Sequence, residues 1–332
     1  EPGEAALCIT RRIKRTLRPL RNVVSAFLGF GYDFSRFVRY AGWRGHADCH
    51  KRDYKAVKTY HRLEKSLSFR QRRSGSGWSA AGDFVHLLSR VRASSTLGYH
   101  ETVGIKVLRD FVARSDGGGR TARQVDEFLQ GTSVAPSEGG VIGLTADQLL
   151  AGRLEDPERF FLSRHSVRDF RPDPVPHEQL RRAVRLAMKT PSVCNRQAWH
   201  VYHLDQRASI DRALALQNGN RGFGHEVPCL LIVTADLRAF DTHGERFQHW
   251  IDGGMFAMAL VLALHSLGLG ACCLNWSRGA GDDLRLRRLV ALDGAHTVIM
   301  MMAVGYPSEN LKVCYSARRP LDSILTHLDA QT

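Results

Sequence analysis

Apolar residues recur every three to four positions through most of the first 112 residues. Arg clusters alternate with Leu, Val and Phe over 10–30, and Tyr32 to Tyr40, Tyr54 to Leu67 and Ala81 to about Val112 repeat at helical spacing. The spacing predicts a mostly helical N-terminal region. It is interrupted by the basic Gly/Ser loop Arg70 to Gly77 and by Gly117-Gly118-Gly119. Residues 131–143 (GTSVAPSEGGVIG) have the composition of a linker. The expected division is therefore a basic helical region over 1–140, a linker over 141–156 and a second unit over 157–328.

Beyond residue 155 the texture changes. Trp199 to Leu204, Cys229 to Ala235, Gly270 to Trp276 and Thr297 to Gly305 read as strands. Pro176 to Lys189, Ser209 to Leu216, Glu245 to Leu267 and Asp282 to Leu292 read as helices. Runs of this kind predict an α+β or α/β layered unit around a central sheet. Gly254 to Trp276 is nearly unbroken in apolar residues and long enough to span a bilayer. His265, Ser266 and three glycines interrupt it, and Gly268-Leu269-Gly270 has the form of a helix stop, so it predicts a fully buried helix running into a strand.

Composition changes the picture in two ways. The net charge of +14 is lopsided: 25 Lys and Arg face 14 Asp and Glu in residues 1–150, against 22 and 19 in 151–332. A basic excess attracts polyanions in general and names none of them, and a solvated face of Arg-rich helices accounts for it equally. Nucleic acid is not the expected partner. The seven cysteines show no C-x-x-C pair and no regular spacing with His, so reduced thiols in a cytoplasmic setting are expected, and no metal.

Two segments carry candidate chemistry. Arg164-His165-Ser166-Val167-Arg168-Asp169-Phe170 offers two guanidiniums and a hydroxyl within five residues, suited to an anionic or planar hydrogen-bonding ligand. Thr190-Pro191-Ser192-Val193-Cys194-Asn195-Arg196-Gln197-Ala198-Trp199 puts Ser, Asn, Arg and Gln in a turn before a strand, where layered folds tend to bind ligands. Either alone also reads as an ordinary polar loop.

Taken together, RHSVRDF and TPSVCNRQAW resemble the paired signature of the FMN-dependent nitroreductase family. Further matches follow in order: Asn220 ahead of Glu226-Val227-Pro228, Asp252-Gly253-Gly254, Leu267 to Gly270, Val304-Gly305-Tyr306-Pro307, and Arg318-Arg319-Pro320-Leu321. The resemblance covers about residues 157–328.

It implies an α+β, three-layer α/β/α domain with a mainly antiparallel central sheet, and a homodimer with FMN at the subunit interface. By the same resemblance Arg164, Arg318 and Arg319 hold the phosphate, and His165 and Ser166 bond the phosphate and ribityl region. Arg168 lies near the ring edge where charge gathers on reduction. Asn195 and Asn220 read the pyrimidine edge, Ser192 and Pro191 meet the ribityl or ring, and Gln197 serves the phosphate side or the loop. A backbone amide at Asn275 or Trp276 approaches the reactive nitrogen. No catalytic side chain is implied, since the cofactor does the redox chemistry.

The expected activity is reduction of nitro, quinone or related small-molecule acceptors by NADH or NADPH. A dedicated flavin oxidase or reductase of one biosynthetic intermediate is the alternative, and a non-catalytic flavin- or polyanion-binding protein the third reading. Three departures stand out: Ala198 replaces a proline, Arg196 replaces a smaller residue and is expected to narrow the pocket or meet an anionic substrate, and Trp276 is bulky.

Two N-terminal features are weaker. His61, Glu64 and Lys65 share one helical face, which reads as a docking face, a lid or a salt-bridged surface. Arg11 to Phe30 runs from basic to apolar; burial of its apolar part against the second unit is expected, with weak contact to an anionic membrane surface as the other option.

Overall fold

A computed structural model of the chain describes residues 2–43, 48–89, 96–132 and 138–328, with side chains from Pro19 onward. Helix α1 (Pro2–Tyr40) is followed by α2 (Cys49–Ser68), α3 (Trp78–Ser89), α4 (Tyr99–Ala113) and α5 (Gly119–Gln130). Asp48 caps α2 by accepting from the amides of His50 and Lys51. The Gly98 amide, at the start of α4, donates to Glu101, whose fully buried carboxylate is paired with Arg52. Helices α2 to α5 enclose their own core around Tyr60, Leu63, Phe84, Leu108 and Phe111. The helical spacing over 81–112 is carried by two helices, α3 and α4, and the triple glycine is a start as well as a break. Gly118 adopts φ +88°, and a Cβ there would lie 2.5 Å from the Trp78 ring.

The second unit follows through α6 (Ala146–Leu150), α7 (Pro157–Ser163), α8 (His177–Ala187), β1 (Trp199–Leu204), α9 (Arg207–Leu214), β2 (Cys229–Asp236), α10 (Gln248–Ser266), β3 (Gly270–Asn275), α11 (Ala280–Leu289) and β4 (His296–Gly305). The four strands form one antiparallel sheet in the order β1-β2-β4-β3, with a bulge between Val233 and Thr234. Strands β2 and β4 are central and buried almost throughout, which is why they read as near-continuous apolar runs. Helices α8 and α10 cover one face, and α9 and α11 the other. This is the three-layer α+β arrangement.

Helix α10 is long and apolar enough to cross a membrane by composition alone. Its inner side packs Phe256, Leu260 and Leu264 on the sheet, with Phe256 stacked on Trp199 at 4.9 Å. Its outer side leaves Trp250, Ile251, Met255 and Met258 exposed, so the helix is covered along one side rather than fully buried.

Among the described side chains of α1, those of its last third meet the sheet unit. The Tyr32 hydroxyl donates to Asp283, Arg36 donates to the His296 carbonyl, and Phe37 packs with Leu237, Ala239 and Phe240. Upstream, Leu20, Val23, Val24, Phe27, Leu28, Phe30 and Phe34 are all exposed. The expected burial of this apolar part does not occur, because α8 to α11 already cover both faces of the sheet.

Residues 164–170 run along the free edge of β3. Ser166 bridges Ala271 in parallel, the Val167 amide donates to the Ala271 carbonyl, and Phe170 bridges Pro307. The approach is close enough that a Cβ on Gly270 would lie 2.8 Å from Val167. Gly270→Ala forces this segment off the strand, and overpacking of this kind costs about 1–3 kcal/mol; a fall in the midpoint of chemical denaturation relative to the parent checks it.

Candidate functional site

The 164–170 segment lays its polar side chains beside β3 in sequence order. Arg164 and His165 line a cavity of about 390 Å³ whose floor is Val261, Leu269 and Ala271. Arg168 lies by Cys272 and donates to the Cys314 thiol at 3.7 Å. Among the described residues, Arg164, His165 and Ser166 spend no side-chain hydrogen bond on the chain itself.

Asn220 joins this row through a residue the sequence reading missed. The Gln217 amide donates to the Asn275 carbonyl at 2.8 Å, while its oxygen accepts from the Gly219 amide. Gln217 is 7% exposed and so held in place. It pins the 217–224 turn to the end of β3, bringing Asn220 and Asn275 to the same corner. The cue was weak: one Gln before an Asn-Gly-Asn turn has no distinguishing pattern.

The 191–197 turn is elsewhere. It enters β1, which lies at the opposite edge of the sheet from β3, three strand spacings or about 14 Å away. Cys194, Asn195 and Gln197 have φ of +50°, +55° and +52°, conformations that cost L-residues energy and persist only where the surroundings impose them. Three contacts impose them here. Asp252, near the start of α10, accepts from the Val193 amide at 3.2 Å; Ser192 accepts from the Gln197 amide at 3.0 Å; and Arg196 is locked below the turn.

Arg196 corrects the sequence expectation. It is fully buried, donates to the Ala239 carbonyl at 2.6 Å and grips Glu245 with both terminal nitrogens. It therefore neither narrows a pocket nor meets a substrate. Burial opposes its charge, but the Glu245 carboxylate more than restores it and holds the guanidinium above its usual value. Glu245 in turn is held below the usual carboxylate range by Arg196 and Lys58, against the effect of burial. Asp241, beside it, accepts from Lys55 and Lys58 of α2, so the helical region is bolted to the base of the turn.

Trp276 also turns inward. It is 8% exposed and its indole donates to Asp283 at 3.1 Å, so the bulk noted in the sequence fills the core below β3. Arg318 and Arg319 lie on the exposed C-terminal segment and bond their own backbone, at Ser316 and Ser323. Leu311 and Val313 bring the start of that segment to the Arg164 cavity, but the two arginines do not reach Arg164 within one chain. The six described cysteines are free. His61 pairs with Glu64 at 2.8 Å, and Glu64 also accepts from the Gly140 amide.

One chain thus holds two separate polar clusters: a row of unspent donors on the β3 edge, and a strained, braced turn on the β1 edge. Residues 162–306 match the sequence profile described as the Nitroreductase family. The chain carries a nitroreductase-family domain. With it the protein belongs among the oxidoreductases.

Similar proteins include an NADH dehydrogenase of Thermus thermophilus, 26% identical over 51% of this chain and 95% of that protein. Nitroreductase NfnB of Mycolicibacterium smegmatis is 28% identical over 35% of this chain and 68% of its own length. A crystal structure described as a nitroreductase in complex with FMN, from Desulfovibrio desulfuricans, aligns with 53% of this chain and 99% of its own at 22% identity and a TM-score of 0.46. The helical region, α1 to α5, lies outside the profile match, yet it supplies Lys55 and Lys58 to the base of the nitroreductase turn.

Two outcomes follow for the braced turn. Arg196→Ala leaves the Glu245 carboxylate without its main partner, and breaking a buried pair in this way costs about 3 kcal/mol; thermal and chemical unfolding measure it. The second concerns acid. Burial raises the Asp241 pKa, but Lys55 and Lys58 outweigh it and bring it down to about 2. A depressed carboxylate contributes its stability above its unfolded value and loses it as pH falls through the folded one. Lys58→Met raises the Asp241 pKa, so an acid titration followed by circular dichroism finds the variant unfolding at higher pH than the parent.

Proposed function

We propose that the nitroreductase domain binds FMN and uses NADH or NADPH to reduce nitro, quinone or related small-molecule acceptors. The observation that carries this is the run of unspent donors Arg164, His165 and Ser166 beside β3, the first two of which line a largely apolar cavity. A flavin mononucleotide needs a cationic, hydrogen-bonding end for its phosphate and a line of amides for its ring, and this row offers both. Arg164, His165 and Ser166 would take the phosphate and ribityl end. Arg168, Asn220 and the backbone at Asn275 and Trp276 would take the ring edge. FMN supplies the two-electron chemistry, and the chain supplies binding, orientation and a positive charge at Arg168.

We assign the other half of the site to a second copy of the chain. Pro191, Ser192, Asn195 and Gln197 lie by the β1 edge and the donor row by the β3 edge, so this reading brings the two together in a homodimer. The exposed outer side of α10 supports it, as do Tyr315, Leu321, Ile324, Leu325 and Leu328, all exposed on the C-terminal segment that carries Arg318 and Arg319. In the dimer that segment has a partner surface to lie on, and its arginines can reach a phosphate.

The dinucleotide donor and the acceptor occupy one face in turn, so the kinetics are ping-pong. We treat 1–140 and 157–328 as two units joined by a linker, in a reducing, cytoplasmic compartment that keeps the thiols free, with the basic N-terminal region making weak contact with an anionic membrane surface.

The test is direct. Purified protein incubated with FMN and desalted should be yellow, release FMN on denaturation and oxidise NADH or NADPH with a quinone. Arg164→Ala should weaken FMN binding by about 10- to 100-fold, the worth of a charge-assisted phosphate bond. A colourless parent protein, or unchanged affinity in that variant, overturns the assignment. Bound FMN that neither nicotinamide reduces points instead to a dedicated flavin enzyme of one biosynthetic intermediate.

A further inference from the structure

From Leu20 to Phe34 helix α1 carries an apolar face that nothing among the described residues covers. Leu20, Val23, Val24, Phe27, Phe30 and Phe34 recur at three- to four-residue intervals, so they form one row along the helix. Phe27, Phe30 and Phe34 are 77%, 70% and 70% exposed. Of the residues that hold α1 to the sheet unit, Tyr32 and Arg36 belong to other sides of the helix, and Phe37 continues the row to the point where it becomes buried. Where Phe30 and Phe34 meet the unit they line, with Phe37 and Phe247, an apolar cavity of about 570 Å³.

The charge pattern selects among occupants. Arg11, Arg12, Lys14, Arg15, Arg18 and Arg21 fall immediately before or at the start of this row, and no acidic residue occurs between Glu4 and Asp33. Two copies of α1 packed row to row in parallel would bring these cations together from both chains, and packed antiparallel would leave both basic runs without a counter-charge, since no acidic residue lies between Glu4 and Asp33. An anionic bilayer accepts the row into its acyl boundary and neutralises the cations at its headgroups, each worth about 1 kcal/mol near such a surface.

We infer that α1 is an in-plane membrane anchor: the row from Leu20 to Phe34 inserts at the surface of an anionic bilayer while residues 11–21 bind its headgroups. This deepens the membrane contact named above, since the contact is apolar and sited on specific residues, and it is independent of the flavin assignment. The helix lies flat rather than crossing, because six cations in eleven residues cannot enter the hydrocarbon.

Flotation of the full-length protein, incubated with FMN, on vesicles separates the outcomes. On equimolar phosphatidylglycerol and phosphatidylcholine the parent should float. Recovery should fall by about tenfold on phosphatidylcholine alone and in about 1 M salt, where the screening length is about 3 Å. The double variant Phe27→Glu, Phe30→Glu should stay at the bottom with its circular dichroism, and any FMN content, equal to the parent's. The inference is overturned by a parent that does not float on the anionic vesicles, by a double variant that floats as well as the parent, or by equal recovery on both lipids. It is also overturned if sedimentation in the absence of lipid shows the double variant dissociating an assembly that the parent forms, because the row is then buried against a second copy. Protein that floats without bound flavin refutes the cofactor reading and leaves the anchor standing.

Discussion

Much of this structure turns on one buried ion pair. Arg196 has no contact with water, and a guanidinium in that position is tolerable only because Glu245 meets it with both oxygens and the Ala239 carbonyl takes a further bond. Removing the charge from water is costly, so the pair leaves the turn above it little freedom. The consequence is local strain held in place: three consecutive-to-near residues with positive φ at the entry to β1. Glu245 stands just ahead of α10, Asp241 beside it takes two lysines from α2, and Asp252 of α10 accepts from the turn itself. Turn, long helix and N-terminal region therefore share one electrostatic joint.

The sheet explains why the two polar segments singled out in the sequence lie apart in a single chain. Its strand order puts β1 and β3 at opposite edges, and each edge carries one of the two polar segments. The β3 edge is filled by residues 164–170, whose backbone satisfies the strand while the side chains of Arg164, His165 and Ser166 remain unspent. Hydrogen bonding thus fixes the row without using the groups that would meet a ligand. Gln217 does the same for Asn220, spending its own amide to hold a backbone and leaving Asn220 free.

Exposed apolar surface is the second theme. The outer side of α10, the C-terminal segment and the row on α1 all leave large side chains in water. A lone exposed Leu means little, but contiguous patches of this size on a folded unit mark surfaces that meet something else. The three patches differ in charge context, and only that on α1 is preceded by a dense cationic run.

How much of this was legible beforehand depends on the range of the cause. The four strands and the helices α8 to α11 were readable to within a few residues, because amphipathic period and glycine stops are local properties of the chain. The motif residues 164–168, 191–197 and 220 were also readable, since their chemistry is written in residue type and order. Which of them meet was not. The strand order, the inward turn of Trp276 onto Asp283 and the capture of Arg196 by a glutamate 49 residues away are long-range packing outcomes with no local signature. The same holds for α1: its period was visible in the sequence, but whether its apolar row found cover depended on how much of the sheet other helices had already taken.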